Sequence, residues 1–281
     1  MAAAIAPKPP LASAEATLYF EGDEVRKVWE ERMFPPFNHA QTVHRLVSHI
    51  EGINHPKSVF LEPSPGMTFP YLDGPNYEDL VLSSPVFPLS HVWELMEEPT
   101  RTLLALHEEG YVHGDFKPDN IVGGKLIDLT TLFVPPGSLS LPPASPAYRF
   151  FSFGTFTYRA PETYLSTHRP TQAIDVWAWG LSLYMMATGG TMINPTSAKV
   201  PGIAENNRYQ LSLLLNWFTP EQLFDFPDEM PPGLVAENPF DWEAHLRATS
   251  PSPLSELDPF IALLSRIFRP ASLRPPLADL L

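Results

Sequence analysis

The chain has 281 residues, and its 32 acidic against 18 basic side chains give a formal charge of -14. That balance argues against nucleic acid or an anionic membrane surface as the main partner, since both recruit basic faces. An apolar fraction of 44% can build a substantial core in one two-lobed domain or two small ones. The absence of cysteine excludes a disulfide framework and a thiolate metal site.

An intracellular location, cytoplasmic or nuclear, fits a chain without cysteine. The longest apolar run, around Val176 to Ala187, falls short of the ~20 residues that a membrane span requires. The opening MAAAIAPKPPLASA has no basic stretch before its apolar residues and is broken by proline, so no signal peptide is expected. The 34 prolines cluster at 135–146, 231–239 and 251–259, which predicts long irregular connections there.

Residues 1–14 read as a disordered tail. Ala16 to Phe20 and Val25 to Trp29 flank EGDE and predict a strand, a turn and a strand. In the second strand Val25 and Lys27 share a face by the period of two. Asn38 to Ile53 has helical spacing, with Val43, Leu46, Val47 and Ile50 on one face and Gly52 as a stop. His44 and His49 read as surface or packing residues, because no partner stands at metal-ligand spacing. Ser58 to Leu61 and Met67 to Leu72 predict two more strands. His91 to His107 predicts a helix that Pro99 kinks or splits.

Tyr111 to Asp128, YVHGDFKPDNIVGGKLID, is the stretch around which the chain is organised. Gly123-Gly124 between short apolar runs predicts a two-residue hairpin turn, which needs φ > 0 at its centre. That hairpin carries Asn120 and Asp128 back to one end, near Asp115. A carboxamide and two carboxylates form a set of hard oxygens suited to Mg²⁺ held between protein and phosphates. Lys117 is placed to neutralise a transferring phosphoryl group. Downstream, DVWAWGLSLYMMATG from Asp175 predicts a helix buried on every side. Further helices are expected near 208–218 and 258–268, and there are no internal repeats.

H-x-D-x-K-P-x-N, an apolar strand and I-D, followed by GTFTYRAPE over Gly154 to Glu162 and then by DVWAWG, resemble the eukaryotic protein kinase family. The Lys two after the Asp resembles its Ser/Thr-directed branch. The resemblance implies an α+β fold with two lobes, a small β-rich lobe over 15–72 and a large helical lobe over 73–281. It implies ATP and Mg²⁺ as cofactors and a protein substrate. Asp115 is then the base that orients the substrate hydroxyl, and Lys117 contacts the γ-phosphate. Asn120 and Asp128 hold the metal, and Lys27 resembles the nucleotide-binding Lys of the family's V-A-I-K strand. FPYLDGPNYEDL resembles the hinge, with Phe69 behind the adenine pocket and the backbone of Leu72 against the base. Thr155 is implied to bond the catalytic Asp and Lys, Glu162 to pair with Arg274, and Asp175 to tie the catalytic loop. Trp177 and Trp179 are implied to be core.

The chain also departs from the family. Residues 1–20 contain no glycine, so the Gly-rich loop over the phosphates is missing. Counting back from His55-Pro56, the helix Glu that pairs with the strand Lys falls near Leu46. Gly114 replaces the Arg that pairs with an activation-loop phosphate, so regulation of that kind is not expected. Leu129-Thr130 replaces Phe-Gly, and Pro70 removes a hinge donor. Three functions remain open at this point. The first is a Ser/Thr protein kinase. The second is a pseudokinase acting as a scaffold or allosteric binding module with weak or no phosphotransfer; a regulatory protein partner is compatible with each reading. The third is a small-molecule phosphotransferase of the aminoglycoside or choline kinase type, which shares H-G-D-x-x-x-x-N.

Overall fold

The computed structural model describes residues 9–12, 16–30, 33–84, 86–134, 154–165, 170–193, 203–226, 230–231, 233–234 and 239–281. The N-terminal part is an antiparallel sheet in the order β1-β2-β3-β5-β4, built from Leu11–Ala12, Ala16–Glu21, Glu24–Trp29, Ser58–Phe60 (β4) and Gly66–Pro70 (β5). β2 and β3 are joined through Gly22 and Asp23, as the EGDE turn predicts. Leu11–Ala12 falls inside the stretch expected to be a tail; it pairs with Leu18 and Thr17 and adds an edge strand. Pairing with β2 satisfies backbone groups that a free tail would leave to water.

α1 spans Phe34–Leu46, earlier at both ends than the periodicity of 38–53 predicts. Pro35 and Pro36 stand in its first turn, where the missing N–H groups have no helical acceptor to lose. After Leu46 the chain tightens into i→i+3 bonds, Ile50 N to Val47 O at 3.0 Å and Ile53 N to Ile50 O at 3.3 Å. That change of course brings Ile50 and Ile53 into the core without continuing the helix.

Two hydrophobic cores correspond to two lobes. Ala16, Trp29, Phe37, Ala40, Met67 and Phe69 form the small one between the sheet and α1. Val43, further along α1, and Val47, just past its end, belong to the large one. α1 therefore spans both cores. At the connection, the half-buried Leu72 has no hydrogen-bond partner for its backbone among the described residues.

The large lobe starts at α2, Tyr77–Leu82, which Asn76 caps by accepting from Asp79 N at 2.8 Å. α3 runs without interruption over Leu89–Glu108, through Pro99. The predicted split is not seen. Pro99 is buried and Thr100 beside it accepts from Trp179 Nε1 at 2.8 Å, so packing outweighs the lost helical bond. A two-stranded hairpin follows, β6 (Ile121–Val122) with β7 (Lys125–Leu126). Gly123 and Gly124 turn it with φ 55° and 80°, as a Gly-Gly turn between apolar pairs requires.

α4, Gln172–Thr188, is buried from Ile174 to its end. Trp177 and Trp179 are fully enclosed, and Trp177 packs on Phe218 and Phe268 at 5.2 and 5.3 Å. Around it lie α5 (Ile203–Leu214), α6 (Pro220–Leu223), α7 (Trp242–Thr249) and α8 (Leu254–Ile267). Pro259 lies inside α8, so the proline cluster at 251–259 does not mark an irregular connection over its whole length. Pro259 stands past the first turn and forgoes the helical bond to the Ser255 carbonyl, while Leu257, Phe260 and Ile261 beside it are buried and hold the helix in place. The proline-rich run 135–146 and most of 231–239 lie outside the described residues.

Candidate active site

The hairpin returns the chain as its turn predicts. Ile127 N donates to Asn120 O at 3.1 Å, so Asn120 and Asp128 leave the hairpin side by side. Asp115 precedes it in a loop that is tied down from below. The Asp175 carboxylate, 1% exposed, accepts from His113 N at 2.7 Å, Gly114 N at 2.8 Å and His107 Nε2 at 3.0 Å. Gly114 has φ 79°, a conformation that an L side chain would strain. A buried carboxylate that accepts three hydrogen bonds fixes the loop backbone through charge-assisted contacts.

Asp115 is held on several sides. Thr155 N and Oγ1 donate to its Oδ1 at 2.7 and 2.8 Å. Asn120 Nδ2 donates to its carbonyl at 2.9 Å and to Oδ2 at 3.2 Å. Lys117 Nζ donates to Thr155 Oγ1 at 2.8 Å and lies 3.4 Å from both Asp115 Oδ2 and Asp119 Oδ2. Burial works to lower the Lys117 pKa, but Asp115 and Asp119 outweigh it and leave the ammonium firmly charged.

Lys27 comes from the other lobe. Its Nζ donates to Asp128 Oδ2 at 3.1 Å. Thr130 N and Oγ1 donate to Asp128 Oδ1 at 3.0 and 2.8 Å. Burial pushes the Asp128 carboxyl up, while Lys27 and the two Thr130 donors together hold it at about 2. Asp128 is therefore an anion at neutral pH.

The donor set fits Mg²⁺. Asn120 uses its amide nitrogen on Asp115, which leaves Oδ1 as the atom able to meet a cation. Asp128 adds an ionised carboxylate. Among the described residues no three His, Asp or Glu side chains converge as a metal cage. Two protein oxygens with phosphates and water completing the shell are the usual arrangement for this ion.

The five predicted side chains thus fall into two bonded sets, Lys27 with Asp128 and Asp115 with Lys117 and Asn120, which the Ile127–Asn120 backbone bond holds next to each other, and Leu72 lies at the connection between the lobes. Away from the cleft, Glu162 and Arg274 pair as expected, Nη1 to Oε1 at 2.7 Å, with the guanidinium fully buried over the Trp177 ring at 5.0 Å. Sequence reasoning missed Thr130 as a donor to Asp128 and Asp119 as a partner of Lys117. It also missed His44, 6% exposed and within electrostatic range of Lys27 and Asp128. Its i+4 spacing from buried Ala40 was the available signal. His49, by contrast, is exposed and pairs with Glu109.

The model of the protein kinase domain matches residues 37–252, more than half of the chain. The chain belongs to the protein kinase family. It is 26% identical over 208 residues to the mitogen-activated protein kinase spk1 of Schizosaccharomyces pombe, covering 68% of this chain and 52% of that protein. It is 26% identical over 173 residues to the serine/threonine-protein kinase MAK of Homo sapiens, covering 60% and 25%. Sperm motility kinase 3A of Mus musculus matches at 38% over 100 residues, 33% of this chain and 18% of that protein. The chain thus spans from under a fifth to about half the length of these relatives. No helix among the described residues is long and apolar enough to cross a membrane.

Proposed function

We propose that the chain transfers the γ-phosphoryl group of ATP to Ser or Thr hydroxyls of a protein substrate. The observation that carries this reading is the fixed Asp115 carboxylate, which Thr155, Asn120 and Lys117 surround. In the proposed step the substrate hydroxyl oxygen bonds to the γ-phosphorus as the bond to the ADP oxygen breaks. Asp115 orients the hydroxyl and takes its proton. Lys117 compensates charge on the phosphoryl oxygens, and Lys27 meets the remaining phosphates. Asn120 and Asp128 would hold Mg²⁺, whose chemistry is to neutralise the phosphate charge. The relatives named serine/threonine-protein kinase support the choice of acceptor.

The test has two stages. Thermal unfolding with and without ATP and Mg²⁺ is recorded for wild type, Lys27→Met and Asp128→Ala. Nucleotide at ~100 times its Kd adds ~2.7 kcal/mol, a rise of several degrees for a chain of this size. The rise should be much smaller in both variants. Transfer of labelled phosphate to peptide libraries by wild type, but not by Asp115→Asn, then establishes turnover.

A scaffold with little or no turnover is the second reading. It is favoured by α1, whose residues Phe34–Leu46 include no Asp or Glu to pair with Lys27. Its sign is an unchanged unfolding temperature at saturating nucleotide.

A further inference from the structure

We propose that His44 is the positioning residue for Lys27: its Nδ1 is the buried acceptor that holds the Lys27 ammonium in the cleft whenever Asp128 is engaged elsewhere. The inference rests on the nucleotide-site reading above.

The sheet register places the two residues in one space. Lys27 stands opposite Met67, and Phe69 lies two further along β5, so all three project from the same face. α1 covers that face. Phe37 packs on Trp29 at 5.5 Å, and the His44 ring packs on Phe69 at 5.4 Å. His44 thus lies on the α1 face over this side of the sheet, within electrostatic range of Lys27.

Its Nδ1 is buried and has no hydrogen-bond partner among the described residues. A buried imidazole nitrogen left bare is costly and calls for a partner, and in the neutral tautomer with its proton on Nε2 the Nδ1 atom accepts from a donor. The charged and titratable groups facing the ring are Lys27 from β3, Asp128 beyond β7 and His55 from the loop after α1, whose ring lies 5.7 Å away. Burial, with His55 next, drives the His44 pKa down to about 3, against the pull of Asp128. The imidazole is therefore neutral and offers an acceptor without a counter-charge. Lys27 then keeps its whole charge for phosphate, whereas a carboxylate at this point would compensate it. Lys27 rests on Asp128 in the structure as it stands, and in the proposal it turns to His44 when Asp128 is taken up by a cation.

The first experiment measures the Mg·ATP dissociation constant calorimetrically for His44→Leu and His44→Asn, each alone and with Lys27→Met. We expect His44→Leu to weaken binding ~10-fold, the size of one hydrogen bond to a charged donor. Asn, whose Oδ1 stands near the place of Nδ1, should restore affinity to within ~3-fold of wild type. In the Lys27→Met background His44→Leu should add no loss. An equal loss in both backgrounds, or no loss in either, overturns the proposal in favour of a packing role.

The second experiment needs no nucleotide. The ¹⁵N resonance of His44 Nδ1 is compared in Asp128→Ala and in Asp128→Ala with Lys27→Met. A shift toward the hydrogen-bonded range in the first that reverses in the second supports the proposal. Identical resonances overturn it. If wild type binds no nucleotide, the functional reading falls and the resonance alone decides the role of His44.

Discussion

Lys27 and Asp128 lie 3.1 Å apart although 101 positions separate them in the chain. The pair joins the β-sheet of the small lobe to the segment that leaves the catalytic hairpin. It has no carboxylate from α1 to share, and Thr130 supplies the remaining bonds to Asp128. The small and large lobes are thus linked at this point by an ion pair between two side chains.

Asp115→Asn should leave the fold intact, since Oδ1 can still accept from Thr155. The amide cannot take a proton, so phosphotransfer should fall ~10²–10⁴-fold. Initial rates with labelled ATP, beside unfolding temperatures that stay level, check this. A rate near wild type would remove Asp115 from the chemistry.

Arg274→Leu should be severely destabilising. The guanidinium is fully buried and bonds Glu162 together with the carbonyls of Ile267, Ala173 and Arg269. Its loss leaves a buried carboxylate and bare carbonyls, a cost of ~3–5 kcal/mol. Removing both partners at once, as Glu162→Met with Arg274→Leu, should recover part of that loss in denaturant titration.

Asp175→Ala should loosen the catalytic loop before it unfolds the protein. His113 N and Gly114 N would lose their acceptor inside the core, at ~1–3 kcal/mol for each unsatisfied group. Hydrogen exchange at the Gly114 amide should accelerate at least ~10-fold. Unchanged exchange would mean that Asp175 does not hold this backbone.

Stability should decline on mild acidification. Burial lowers the pKa of His39, His44 and His113 in the folded protein, His44 to about 3. The unfolded chain takes up these protons below ~6.5 and the folded chain does not. Their contribution is therefore complete above that pH and is lost as pH falls from ~6.5 toward 3, at up to ~1.4 kcal/mol per pH unit for each ring. Asp128, held at about 2 against 3.8, acts in a separate window below pH ~4, where its contribution is lost as the carboxylate protonates. Unfolding temperatures from pH 8 to 4 should fall, and the slope should be shallower in His44→Asn.

Much of the site was legible because its information is local. Asp115, Lys117 and Asn120 stand within five positions, and Gly123-Gly124 can turn the chain in few ways, so the return of Asp128 follows from residue types alone. The core role of α4 follows from an apolar run that leaves no face for water. Long-range pairs such as Glu162 with Arg274 came from family resemblance and not from spacing. Helix limits were less legible. Pro99 read as a kink or split and the prolines of 251–259 as an irregular connection, yet packing around α3 and α8 offsets the missing bonds of Pro99 and Pro259. His44 and His49 were read alike from the sequence, yet one is buried over Phe69 and the other is exposed beside Glu109. Sequence alone determined the catalytic loop, its hairpin and the buried helix beneath it, because each depends on neighbours a few residues away. The tertiary structure decided what faces Lys27, because that depends on how α1 lies across the sheet, and no periodicity within α1 encodes the position of a strand outside it.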